Sequence, residues 1–369
     1  MTFRRTFLAA SLAAAALLSL PSLAADIQTR TIKFPSASNK GHPQVMGVEK
    51  FAELVAAKSG GKLTVKPFSG GTLGPDLQTV SAMQGGTVEM TVMNASLLAA
   101  NVKEMTILDF PFLFASPQEA DAVIDGPVGK KLLDKLQAKG LVGLAYWDLG
   151  FRQMHFRKQA VAKADDLKGI KMRVIPTPIY LDFMTAMGAN AISMPFTETY
   201  TALEQGAIDG MTNPLLNILD GKYNEVTKYL TLTNHMYTPQ AVIVSKKFWD
   251  KLSADEQKIL RDAAAETTIY QRKVARAEAA KVLDEAKKKG MQIVELPPEE
   301  IAKLRERSKP VIEKYTKDVG PEFVAEVNAE IQKVRAKKKG RKQGRRGLRR
   351  GRHGGLAGAR RPRRPRPRA

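Results

Sequence analysis

No cysteine occurs among the 369 residues. Disulfides, thiolate nucleophiles and cysteine-ligated metals are thereby excluded, so the fold has to be held by its apolar core. Long apolar runs are missing too. The run from Phe7 to Leu20 falls short of the ~20 residues a membrane-spanning helix needs, and no later segment reaches that length. Acidic residues are absent from the end of the chain, where Arg335 to Ala369 holds 17 Lys and Arg. The formal charge of +22 is therefore local. With that tail and the two arginines near the N-terminus set aside, 40 basic residues face 37 acidic ones, a net of +3. No nucleic-acid partner is expected for so nearly neutral a body.

At the N-terminus, Arg4-Arg5, the apolar run, Pro21 and the small residues Ser22-Leu23-Ala24 form the three parts of a secretory leader. Cleavage is expected after Ala24, with delivery to the periplasm. Arg4-Arg5 before Thr6-Phe7-Leu8 fits the twin-arginine route as well as general secretion. The tail, residues 335–369, mixes Arg with Gly and Pro, cannot build a core and reads as disordered. It either binds anionic polymers and surfaces or is GC-rich DNA translated in a shifted frame. About 310 residues lie between, more than one core usually holds, so two domains are expected.

Through this body strand-like and helix-like segments alternate, the pattern of an α/β protein with parallel sheets. Pro43–Lys58 reads as an amphipathic helix closed by Gly60-Gly61, and Pro127–Lys139 as another, ended by Gly140. Leu141–Trp147 and Arg152–Phe156 read as two strands. Ser253 and Glu256 fit a capping box, and no Gly or Pro follows until Gly290, so one helix of ~37 residues and ~55 Å is expected there. Pro298–Val319 and Glu322–Ala336 complete the helices.

One charged residue sits where charge is costly. Arg173 lies between Met172 and Val174 in an apolar strand, and its planar fork of donors suits a carboxylate. An internal salt bridge, or a strand face turned to water, explains the position equally well. Trp147 and Tyr237 serve either as aromatic walls of a cleft or as core. His42, His155, His235 and His353 show no metal-ligand spacing. Neither a phosphate loop nor a Gly-x-Ser-x-Gly elbow is present.

The stretch Gly150-Phe151-Arg152, Lys171-Met172-Arg173 and Gly206 through Asn213-Pro214 resembles the substrate-binding proteins of tripartite ATP-independent periplasmic (TRAP) transporters, the dicarboxylate-receptor family. Leu73-Gly74-Pro75-Asp76, Gly86–Asn94 and Leu232-Thr233-Asn234-His235 extend the likeness, which covers about Thr31 to Val334. The resemblance implies a two-lobed fold with a ligand cleft, hinge strands and a long lobe-spanning helix. It divides the body into 25–150 with 239–270, and 151–238 with 271–334. It further implies that Arg173 pairs with a ligand carboxylate in two parallel bonds, that Arg152 supports it, that Asn213 bonds the same group, and that Phe196 is an apolar wall. Asn94 falls where the family places a polar, often acidic, selector of ligand hydroxyls. Met211-Thr212-Asn213 lacks the acidic side chain with which some relatives hold a cation, so no metal and no cofactor are expected. The implied function is capture of a small organic acid by a monomer that delivers it to the membrane subunits of a transporter. An exported lyase or hydrolase acting on such an acid is the alternative.

Overall fold

The computed structural model describes residues 26–353, the side chains of 339–353 excepted. The expected leader, residues 1–24, and the end of the tail, 354–369, lie outside the described residues. The chain runs β1 (Arg30–Pro35), α1 (Pro43–Lys58), β2 (Leu63–Phe68), α2 (Asp76–Gly85), β3 (Met90–Asn94), α3 (Pro117–Ile124), α4 (Pro127–Lys135), β4 (Leu141–Phe156), β5 (Lys171–Val174), α5 (Pro178–Ala186), β6 (Asn190–Ser193), α6 (Thr199–Gln205), β7 (Gly210–Pro214), β8 (Tyr229–Leu232), β9 (Tyr237–Ser245), α7 (Ala254–Lys288), β10 (Gln292–Glu295), α8 (Pro298–Val319) and α9 (Pro321–His353), with short helical turns between. Among the described residues no helix is long and apolar enough to cross a membrane.

The expected two-lobed α/β architecture is present, and β4 joins its halves. From Leu141 to Phe151 this strand pairs antiparallel with β9, which pairs in turn with β3, beside the parallel pair β1–β2. Its last residues pair with β7 and β8 in the second sheet, of order β10-β8-β4-β7-β5-β6. The two strands read from the sequence are thus one strand of 16 residues. Gly150 does not end it. Its φ of 95° is absorbed as an irregularity in the register between Asp148 and Phe151, a conformation open to glycine.

Helix α7 spans both lobes without a break. Its N-terminus is fixed by the expected box: Ser253 Oγ accepts from Glu256 N at 3.2 Å, and Ser253 N donates to Glu256 Oε2 at 2.9 Å. Leu260, Ala263 and Ala264 pack in the core of the first lobe, and Val282 and Ala286 in a cluster of the second. Between them the helix grips β4. Gln271 brackets the Asp148 backbone, accepting from its N–H at 2.9 Å and donating to its carbonyl at 2.8 Å. Arg276 bridges Asp148 and Asp121, 2.7 Å from each.

Two expectations are corrected at the C-terminal end. The stretch 271–334 does not stay with the second lobe. Helix α8 lies against α5 and equally against the turn Lys103–Asp109 of the first lobe, and α9 packs on the first lobe, where Lys131 reaches Glu326 at 3.0 Å and Arg335 reaches Glu119 at 2.9 Å. Nor is residue 335 a boundary of order, because α9 continues to His353. Ala, Lys, Arg and Gln are good helix formers, and charge alone does not end a helix already docked on α3.

Several polar groups are buried. His42 caps α1, its Nδ1 accepting from Gln44 N at 3.0 Å, and His155 Nε2 lies 3.1 Å from the Asn213 carbonyl, to which it donates. Burial holds both imidazoles neutral down to about pH 4. A histidine of depressed pKa contributes stability that is present above its unfolded value of ~6.5 and is lost as pH falls toward the folded value. The buried carboxyls of Asp76 and Asp109, raised to about 6 and about 7 by burial, act in the opposite sense and lose stability as pH rises through those values.

Two outcomes follow for solution measurements. Gln271→Leu leaves two buried backbone groups of Asp148 unpaired and should cost about 2–4 kcal/mol in denaturant unfolding at neutral pH; a cost under half a kcal/mol would show that the grip on β4 is not structural. His155→Gln should gain about 2 kcal/mol relative to the parent on going from pH 8 to pH 5. A difference independent of pH would mean that the fold leaves the His155 pKa at its unfolded value.

Candidate ligand-binding site

Strand ends place the polar side chains. Arg173 lies near the carboxyl end of β5, Asn213 near that of β7, and Asn94 closes β3; in open α/β sheets this is the side on which ligands bind. Together with Arg152 from the joint of β4 and Phe196 from a short turn, they line one cavity between the lobes. Gln44 and Asp76, at the starts of α1 and α2, and Thr238 and Gln240, from β9, complete its polar wall.

Both guanidiniums are buried, at 1 % and 2 % exposure. Arg152 donates from Nε to Thr212 Oγ1 at 2.6 Å and from Nη2 to the Thr212 carbonyl, with its Cζ 5.2 Å from the centre of the Tyr180 ring. Arg173 donates from Nε to the Met194 carbonyl at 2.9 Å. Among the described residues neither has a carboxylate oxygen within 4.0 Å. Burial, and after it the charge of Arg152, lowers the Arg173 pKa to about 10. Asp76 offsets part of the positive charge from the cavity wall, and Asp109 from behind, held by Tyr180 Oη at 3.1 Å. The internal salt bridge that could have explained Arg173 is therefore not among the described contacts.

Five of the expected site residues, Arg173, Arg152, Asn213, Phe196 and Asn94, meet at this cavity. Trp147 and Tyr237 do not. Trp147 is fully buried against Phe34, ring centroids 6.3 Å apart, and over Gly47, where an added Cβ would come within 2.8 Å of the indole. Tyr237 packs edge-on to Phe114 and Phe151 at 6.0 and 5.1 Å. Alternate residues of a strand point to opposite faces, and these two point into the core. The sequence reading passed over Gln44, Asp76, Thr238 and Gln240. Gln240, a polar residue in the wholly buried strand β9, carried the same signal as Arg173. Asp76 in the first turn of α2 looks like any acidic helix start.

No three His, Cys, Asp or Glu side chains gather as a metal site among the described residues. Among the described residues the cavity lining offers two guanidiniums and several side-chain amides, a donor set that suits binding of an anion.

Comparison with known proteins agrees with this geometry. Residues 34–318 match the model of the bacterial extracellular solute-binding proteins, family 7. The C4-dicarboxylate-binding periplasmic protein of Rhodobacter capsulatus is 37% identical over 314 residues, 85% of this chain and 93% of that protein. A TRAP periplasmic solute-binding protein from Ochrobactrum anthropi, its structure solved with a C-terminus in the ligand pocket, is 53% identical with a TM-score of 0.75, covering 85% of this chain and 98% of its own. The sugar acid binding protein of Advenella mimigardefordensis, solved with galactonate, is 42% identical with a TM-score of 0.82, covering 84% and 99%. The chain belongs to family 7 of the bacterial extracellular solute-binding proteins, the receptors of TRAP transporters, and is not an enzyme.

Proposed function

We propose that this receptor holds an organic acid by its carboxylate, between Arg173 and Arg152, in the cavity between the lobes. One observation supports this above the others: two buried guanidiniums face one cavity with no carboxylate within 4.0 Å among the described residues. An uncompensated buried charge is costly, and a ligand carboxylate would offset it through charge-assisted bonds. The names of the relatives, one for C4-dicarboxylates and one for a sugar acid, point to the same class of anion. Asn213 would support the anion from β7, and Phe196 would pack on the ligand's carbon skeleton.

Capture follows from the connections between the lobes. β4, β9 and α7 cross from one lobe to the other, and rotation about them would open and close the cavity. At the rim the lobes touch, with the Asn39 side chain donating to the Asp220 carbonyl at 3.4 Å. Closure excludes water and strengthens the ion pair, and a ligand favours closure only by its preference for that form. The closed receptor would then deliver the acid to the membrane subunits of its transporter. We assign the leader a cleavage after Ala24, the mature protein to the periplasm, and the receptor to the monomeric state.

Titration calorimetry and a ligand-free melt on the same variants test the site. Arg173→Lys keeps the charge but loses the fork, and should weaken an acid found by thermal-shift screening by tens- to thousands-fold, about 2–5 kcal/mol. Arg152→Lys should lower both affinity and melting temperature, because Arg152 also ties β4 to Thr212 by two bonds. Unchanged affinity with a lowered melt in Arg173→Lys would assign that residue to the scaffold.

A further inference from the structure

We infer that the ligand is a monocarboxylate carrying several hydroxyl groups, a small sugar acid, and not a dicarboxylate. This rests on the reading above that Arg173 and Arg152 take a carboxylate, and it concerns the rest of the molecule.

Charge gives the first argument. Of the side chains that line the cavity, Arg152 and Arg173 are the cations and Asp76 is the one acid. Both cations line the same cavity, close enough that the charge of Arg152 disfavours that of Arg173. With Asp76 in the wall and Asp109 acting on Arg152, a single ligand carboxylate is enough to offset them. A second carboxylate at the far end of a short acid would meet no cation in the wall and would lie uncompensated in a water-poor cavity.

Hydrogen bonding gives the second argument, and it is independent of the first. Gln44 Oε1, Asn94 Nδ2, Thr238 Oγ1 and Gln240 Oε1 are buried, and none has a hydrogen-bond partner among the described residues. All four side chains line the cavity. Buried polar atoms are normally paired, so this wall is complementary to groups that a ligand brings. Gln44 is fixed in orientation, because its Nε2 donates to the Val92 carbonyl at 3.3 Å, which turns its oxygen to the cavity. Asn94 is fixed likewise, its Oδ1 accepting from Ser96 N at 3.2 Å. One wall atom thus accepts and another donates, with the Asp76 carboxyl and the Thr238 hydroxyl beside them. Hydroxyls donate and accept and satisfy such a mixed set, whereas a second carboxylate only accepts. The cavity has a volume of about 90 Å³, enough for a few water molecules at ~30 Å³ each, and so for a small acid only.

The test is calorimetric titration of the mature protein with matched probes: the aldonates erythronate, gluconate and galactonate, the corresponding aldarates, succinate, hexanoate and glucitol. At least one aldonate should bind at least tenfold tighter than its aldarate, than succinate and than hexanoate, and glucitol should give no binding. Asp76→Asn should narrow the gap between aldonate and aldarate by about tenfold or more. Succinate or an aldarate binding tighter than every aldonate, and losing affinity in Arg173→Lys, overturns the sugar-acid assignment and leaves the carboxylate reading standing. If no acid binds, or if binding is indifferent to Arg173→Lys, both are overturned.

Discussion

Two guanidiniums lie side by side under the cavity, each at 2 % exposure or less, and the local structure is arranged around that burden. Desolvation acts against both charged forms, and the charge of Arg152 acts further against that of Arg173. What makes the arrangement tolerable is a set of partial compensations: the Thr212 hydroxyl and carbonyl, the Met194 carbonyl, the face of Tyr180, and the carboxyls of Asp76 and Asp109 at a distance. None is a close ion pair. The positive charge is thus stabilised enough to fold and still open to an anion, as the proposed carboxylate site requires.

The same site is tied to the hinge by the chain itself. Arg152 follows Gly150 and Phe151 at the point where β4 passes from one sheet into the other. Four residues earlier, Asp148 is gripped by Gln271 and Arg276 of the lobe-spanning helix. A displacement of either lobe about this joint would therefore move Arg152, the proposed anchor, relative to Asn94, Gln44 and Asp76 on the first lobe. In the proposed reading, ligand anchoring and closure share one short segment, residues 148–152.

How much of this was legible varies with the kind of signal. Helix α1 was bounded correctly because Pro43 opens it and Gly60-Gly61 follow its end, and α7 because Ser253 and Glu256 close a local box. Such signals are local. Arg173 stood out as a charge within an apolar strand, yet only the family resemblance brought in Arg152, Asn213, Phe196 and Asn94, since their spacing along the chain says nothing about convergence in space. Trp147 and Tyr237 were open between cleft and core because an aromatic in a strand does not reveal which face is covered. The unbroken course of β4 was hidden by Gly150, which punctuates a sequence whether it makes a turn or a bulge. The return of α9 to the first lobe depends on pairs such as Arg335 with Glu119, more than two hundred residues apart in sequence.

The most direct test of the central claim is a crystal structure of the receptor with its tightest-binding acid. Our account predicts the ligand carboxylate within ~2.7–3.0 Å of the terminal nitrogens of Arg173, with Arg152 beside it and the remaining polar groups of the ligand turned toward Gln44, Asp76 and Gln240. A ligand carboxylate seated elsewhere, with Arg173 paired to a carboxylate of the protein, would contradict it.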